Sequence, residues 1–143
     1  RAPMLPYFGR VKPFLFDSLT LVNEIRPGPP PSTRSAEFKK ELDEVKYYSQ
    51  NPTRERIRIV HFWADGVGTY TPPGHWNAIA ADEFIKLNCS EVRWARAMAL
   101  LNMSLMDAAI ACWDAKYTFY NPRPSQIDSS IKSILGDILP GFS

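Results

Sequence analysis

The sequence predicts an all-α fold, a helical bundle preceded by a proline-rich N-terminal arm. From Ser35 onward, apolar residues recur at the three- and four-residue spacing of amphipathic helices, and no segment shows the alternation typical of a sheet. The 143 residues, 45% apolar and 22% charged, are enough for one core. We expect two parts, a docking arm over residues 1–34 and a helical portion over residues 35–143.

The arm is identified by its prolines. It ends in the run Pro27-Gly28-Pro29-Pro30-Pro31-Ser32, which favours extended or polyproline-like backbone and is incompatible with a helix. Several apolar side chains lie within the arm, namely Phe14, Phe16, Leu19 and Leu21. They supply enough apolar surface to anchor it, so we expect the arm to dock on the rest of the chain.

Four helix starts can be located. Ser35 is a suitable N-cap for a first amphipathic helix, and a second begins near Thr53 and ends before Asp65-Gly66. The segment Thr71-Pro72-Pro73-Gly74 is typical of a helix start because proline is tolerated in the first turn. Ser90 opens the longest helix, which runs to about Tyr120.

The longest helix is predicted to be the buried, central one, because its apolar residues cover much of its circumference. After it, apolar residues predict a short last helix that stops at Gly136 or at Pro140-Gly141. These residues are Ile127, Ile131, Ile134 and Leu135.

Composition narrows the classes of partner. A formal charge of +2 gives no reason to expect nucleic acid or a membrane surface, and no uninterrupted apolar run reaches the roughly 18 residues of a membrane span. Cys89 and Cys112 lack the spacing of a zinc site, and we expect two buried thiols rather than a disulfide. Composition leaves the compartment undecided.

Lys116 and Arg123 are the candidate anion-binding residues. Pro122 lies between the two cations and Pro124 follows Arg123, and both prolines interrupt the helix. Each favours extended backbone at the residue before it, Asn121 or Arg123. Arg123 can therefore fold back toward Lys116. An ammonium and a guanidinium together suit a tetrahedral oxyanion such as phosphate or vanadate. The alternative is that the lysine caps the helix end and the arginine is an ordinary surface residue.

Trp113, Lys116, Arg123 and Pro124 together read W-x2-K-x6-R-P, which resembles the first signature of the vanadium haloperoxidase and type 2 phosphatidic acid phosphatase superfamily. Upstream segments are similar in order and spacing to bacterial members related to the haloperoxidases. These are Lys12-Pro13-Phe14, the proline run, Ser35-Ala36-Glu37-Phe38, Glu44-Val45-Lys46, Phe62-Trp63-Ala64-Asp65 and Thr71-Pro72-Pro73-Gly74-His75-Trp76.

The resemblance implies an all-helical enzyme in which Lys116 and Arg123 bind vanadate or phosphate oxygens. It places Trp113 at the pocket wall, although a core role for this tryptophan is an equal alternative. The superfamily's later signatures, P-S-G-H and S-R-x5-H-x3-D, are absent, and His61 and His75 precede Lys116 instead of following it. We therefore expect no catalytic residue in this chain, and we interpret both histidines as structural.

The expected function is that of the N-terminal portion of a vanadium haloperoxidase-like enzyme, which oxidises halide with peroxide. Its partner would be the C-terminal half of the fold or a second chain, and the resemblance implies a periplasmic or secreted setting. Two alternatives stay open. One is a phosphatase of the same superfamily, and the other is a non-catalytic helical assembly module.

Overall fold

The computed structural model describes residues 4–66 and 68–135, and within these ranges the prediction of an all-α fold is confirmed. Helices and turns account for all regular structure there, with no strand. In chain order the helices are α1 Ser18–Thr20, α2 Ala36–Gln50, α3 Arg54–Trp63, α4 Thr71–Lys86, α5 Glu91–Phe119 and α6 Pro124–Ile127.

Three of the long helices begin at side-chain caps. The hydroxyls of Ser35, Thr53 and Ser90 accept hydrogen bonds from backbone N–H groups three residues later, at the first turns of α2, α3 and α5. Each cap satisfies a donor that the helix itself leaves free. α4 begins at Thr71 with two prolines in its first turn, as the sequence predicts.

The chain divides into two compact units. The described residues of Arg1–Pro29 and Pro73–Tyr120 form the first unit, which joins the arm to α4 and α5. The described residues of Pro30–Pro72 and Asn121–Ser143 form the second.

In the first unit, the arm lies along α5. A 3-10 turn at Phe8–Arg10 packs against this helix, and the buried carboxylate of Asp107 accepts hydrogen bonds from the backbone N–H groups of Phe14 and Leu15, both at 2.8 Å. α1 then continues into a π-helical turn, Leu21–Ile25, a helical segment that the sequence analysis did not identify. The backbone N–H groups of Phe14 and Leu15 therefore hold this part of the arm. Leu21 is buried as expected of an anchor, whereas Phe14 and Leu19 are 64% and 71% exposed, so the expectation that they anchor the arm is wrong.

α4 and α5 also contact each other within this unit. The side-chain amides of Asn77 and Asn102 exchange two hydrogen bonds, of 3.0 and 2.9 Å, and the rings of Phe84 and Trp94 pack with their centroids 5.8 Å apart. The expectation that α5 is a buried central helix is wrong for this structure. Only Asp107 and Ile110 are buried along it, because its apolar residues encircle the helix while the arm and α4 cover only part of that surface.

In the second unit, α2 is tied to the segment that follows α6. Lys46 Nζ lies 2.8 Å from Asp128 Oδ2, and Ser49 Oγ both donates to the carbonyl oxygen of Lys132 and accepts from its N–H. Arg56 of α3 lies over the ring of Tyr48, with 4.7 Å between its Cζ and the ring centroid. These contacts connect α2, α3 and the C-terminal segment.

The last predicted helix is mostly not a helix. α6 covers only Pro124–Ile127, and Ile131 and Leu135 are buried in non-helical backbone. Their spacing reflects burial rather than helical periodicity. The predicted stops at Gly136 and at Pro140-Gly141 lie outside the described residues.

Within the described chain, the stretch Glu91–Ile127 contains one window that is long and apolar enough to cross a membrane. A window of this kind can include a few charged residues, whereas the uninterrupted apolar run considered in the sequence cannot. Length and composition alone give weak support for a span, since core helices of soluble proteins pass the same test.

Candidate functional site

Lys116 lies in the last turn of α5. The helix ends because Tyr120 adopts a left-handed conformation, with φ of 49°, and its N–H donates to the carbonyl oxygen of Lys116 at 3.1 Å. The Lys116 side chain is exposed, and its Nζ lies 4.0 Å from the ring centroid of Trp113, one turn earlier. This cation–π contact holds the ammonium beside the indole.

Arg123 follows the helix end and begins α6. Its backbone is extended, with φ of −70° and ψ of 149°, as the following Pro124 favours. The N–H of Arg123 donates to Gln126 Oε1 at 2.8 Å, which fixes the backbone and leaves the exposed guanidinium outside the cap. Lys116 belongs to the first unit and Arg123 to the second.

Neither cation has a carboxylate partner among the residues that the structure describes. Other cations of the described chain are paired with carboxylates, namely Arg26, Lys46, Arg58 and Lys86. Arg26 makes two hydrogen bonds to Asp114 at 2.6 and 2.8 Å, and this contact raises the pKa of the guanidinium. The charges of Lys116 and Arg123 are thus available to an external anion.

Trp113 is half-buried between the arm and the end of α5. Its Nε1 donates to the carbonyl oxygen of Met4 at 3.2 Å, and the hydroxyl of Tyr117 donates to the same oxygen at 2.6 Å. The rings of Phe8 and Trp113 pack in a T-shaped arrangement, with 5.7 Å between the centroids. One arm residue therefore fixes two aromatic rings of α5.

A cavity of about 400 Å³ lies in the first unit, between the arm and α5. Its aromatic walls are Tyr7, Trp113, Tyr117 and Tyr120. We call it the arm–α5 cavity. Lys116 does not line it, although the ring of Trp113 both lines the cavity and contacts the lysine.

The sequence analysis did not predict this cavity. Trp113, Tyr117 and Tyr120 are close together in the sequence, but Tyr7 on the arm side lies more than 100 positions before them, and no local spacing pattern connects the two sides. Two features of the sequence pointed to parts of this cavity. The prolines identify the arm, which forms one side, and the Trp113–Lys116 pair identifies the end of α5, which forms the other.

Histidines and cysteines form no site in the described part of the chain. His75 is buried, as expected of a structural residue, whereas His61 is exposed and not packed on an apolar face. Cys112 is also exposed and Cys89 is half-buried, so the expectation of two buried thiols is wrong. Both thiols are free. Among the described residues no three metal-ligating side chains cluster.

The ligands that vanadate needs can be compared with the donor groups of these residues. Its oxygens need hydrogen-bond donors with positive charge, and the exposed, carboxylate-free side chains of Lys116 and Arg123 meet that need. Its vanadium needs a nitrogen ligand. The two histidines of the chain lie on α3 and α4, away in sequence from the cations. Each cation, within its own unit, therefore offers donors of the kind that oxyanion oxygens accept.

No protein-family model, no curated protein and no solved structure matches the chain.

Proposed function

We propose that Lys116 and Arg123 bind the oxygens of a vanadate or phosphate ion, and that the chain is the N-terminal portion of a vanadium haloperoxidase-like enzyme. The observation that carries the proposal is the combination of their charge with their positions on either side of the end of α5 in the sequence. Both are exposed cations without a carboxylate partner among the described residues, and they flank the capped end of α5, seven positions apart. The W-x2-K-x6-R-P pattern supports the same assignment.

The two side chains would contribute in different ways. The guanidinium of Arg123 offers a planar pair of donors to two oxygens, whereas the ammonium of Lys116 offers a compact charge that the Trp113 ring orients. Bound vanadate would supply the activation of peroxide for halide oxidation. A phosphatase of the same superfamily would use the same two cations to neutralise a phosphoryl group.

Binding measurements on two variants test the proposal. Isothermal titration of the protein with orthovanadate and with phosphate should give weaker binding for Lys116→Ala and for Arg123→Ala. A hydrogen bond to a charged group contributes about 1.5–3 kcal/mol, so we expect each loss to be roughly tenfold to hundredfold.

The matched control is Lys40→Ala, which removes an exposed lysine from α2 and should leave both affinities unchanged. Unchanged affinity in both Lys116→Ala and Arg123→Ala would refute the anion site. Bromide oxidation and hydrolysis of an aryl phosphate, assayed with the chain joined to the C-terminal half of the fold, then distinguish the haloperoxidase from the phosphatase. Turnover by this chain alone would contradict the expectation that it holds no catalytic residue.

A non-catalytic helical assembly module is the second candidate. It is favoured by the large apolar side chains that are exposed in the first unit, among them Leu19 at 71% and Val92 at 80% of their full accessibility. Exposed apolar surface of this kind is typical of faces that bind another protein.

A further inference from the structure

The arm–α5 cavity is open to solvent and has aromatic walls, of which Trp113 and Tyr117 are held by hydrogen bonds. The Nε1–H of Trp113 and the hydroxyl of Tyr117 both donate to the carbonyl oxygen of Met4, so their donors are already used. What the two rings offer to a ligand is therefore apolar and π surface. The ring of Tyr120 packs edge-on against Tyr117, at 5.7 Å between centroids, and extends this wall. Such walls favour a flat, aromatic ligand.

The cavity lining carries more positive than negative charge. Arg26 and Asp114 both line it, but they neutralise each other through their two short hydrogen bonds. Arg10 also lines it, and its guanidinium lies 5.4 Å from the ring centroid of Tyr7. Among the described residues Arg10 has no carboxylate partner. The lining therefore carries one uncompensated positive charge.

A guanidinium matches a carboxylate in shape as well as in charge, because its parallel N–H groups reach both oxygens. A volume of about 400 Å³ also lies within the range of small-molecule sites. We propose that the arm–α5 cavity binds a small aromatic monocarboxylate, whose ring contacts the walls formed by Trp113 and Tyr117 and whose carboxylate pairs with Arg10. The cavity adjoins the proposed anion site, since neither Lys116 nor Arg123 lines it but Lys116 contacts the Trp113 ring that does.

Titration with benzoate, followed by the indole N–H signals in ¹H–¹⁵N correlation spectra, tests the proposal directly. The chain has four tryptophans, and only Trp113 lines the cavity, so the other three signals serve as internal controls. The Trp113 signal is assigned from its loss in Trp113→Phe. We expect it to shift saturably with a dissociation constant on the order of 1 mM, as is usual for a ligand of this size in an open site.

Two further ligands separate shape from charge. Cyclohexanecarboxylate keeps the charge and lacks the π system, and benzamide keeps the ring and lacks the charge. Both should bind about tenfold more weakly than benzoate. Equal binding of either one would overturn the proposal, as would the absence of any Trp113 shift at roughly ten times the expected dissociation constant.

Arg10 variants complete the test. Arg10→Ala and the more conservative Arg10→Gln should each weaken benzoate binding by about tenfold, because the charged hydrogen bond is lost. Lys12→Ala removes an exposed cation of the same arm that does not line the cavity, and it should bind benzoate as the unmodified chain does. Unchanged affinity in folded Arg10→Gln, judged by an otherwise unaltered spectrum, would contradict the proposal.

Discussion

Gly9 makes the tightest approach between the arm and α5. A Cβ atom at this position would lie 2.6 Å from the backbone nitrogen of Asp114 and 2.7 Å from its Cα. Both distances are far below van der Waals contact, and the atoms belong to helix backbone that no rotamer change can move. Glycine is therefore required here by close packing and not by a special backbone angle.

Gly9→Ala should lower the free energy of unfolding by about 1–3 kcal/mol, since the arm must shift away from the helix. Urea unfolding followed by circular dichroism measures the change. Gly28→Ala is the matched control, because a Cβ there meets nothing within 4 Å. The control should be neutral or stabilising by up to about 1 kcal/mol. Equal losses in the two variants would show that the close approach does not matter.

At the residue scale, a residue's role could be predicted from the sequence only where its partners lie nearby in the chain. Lys116 and Arg123 stand out because seven positions and two prolines relate them. Glycine is required at position 9 because the backbone of Asp114 lies too close for a Cβ atom. Asp107 holds the arm because its carboxylate accepts hydrogen bonds from the N–H groups of Phe14 and Leu15. Those partners are about 90 to 105 positions away. No local pattern reports such contacts, so these roles could not be predicted.

At the scale of elements, local chemistry made the helix starts predictable. Ser35, Thr53 and Ser90 cap their helices within three residues, so the signal and its effect lie in the same short segment. The C-terminal segment was not predictable in this way. Ile131 and Leu135 are buried without a helix, in a segment that α2 holds through hydrogen bonds to the Asp128 carboxylate and to the Lys132 backbone. Apolar spacing alone cannot distinguish these two causes of burial.

The connection between α2 and this segment should be sensitive to acid. The hydrogen bond from Lys46, followed by those from Ser130, lowers the pKa of the Asp128 carboxyl from 3.8 to about 2. A depressed pKa means that the carboxylate stabilises the folded state fully above pH 3.8. This contribution is then lost as the pH falls through about 2.

Asp128→Asn should therefore flatten the decline of stability between these pH values, which urea midpoints measured from about pH 5 to about pH 2 would show. Asp43→Asn is the control, since Asp43 is exposed on α2 and forms no ion pair among the described residues. It should keep the acid dependence of the unmodified chain. An undiminished decline in Asp128→Asn would show that other carboxylates cause it.

At the scale of the whole molecule, the all-α class followed from periodicity, but the degree of burial did not. The junction between α4 and α5 exposes Ile85 at 66%, Leu87 at 67% and Val92 at 80% of their full accessibility. Composition reports how much apolar surface a chain carries. It does not report what covers that surface, which is why α5 was predicted to be buried.

This junction should promote association in solution. Replacing Ile85, Leu87 and Val92 together by serine should reduce both the binding of a fluorescent apolar dye and any rise of the sedimentation coefficient with concentration. A matched variant with serine at Glu37, Lys40 and Glu44, exposed positions of α2, should change neither. A chain that binds no dye and stays monomeric at every concentration would contradict the assembly hypothesis.

The arm and α5 use different kinds of groups in the hydrogen bonds that join them. Apart from the Arg26–Asp114 ion pair, the arm contributes main-chain groups, the carbonyl oxygen of Met4 and the N–H groups of Phe14 and Leu15, while the helix contributes side chains. Any residue type can supply a carbonyl oxygen, and any except proline can supply an N–H. Evolutionary drift at positions 4, 14 and 15 would thus leave these attachments intact, whereas Asp107, Trp113 and Tyr117 could not change identity without losing them.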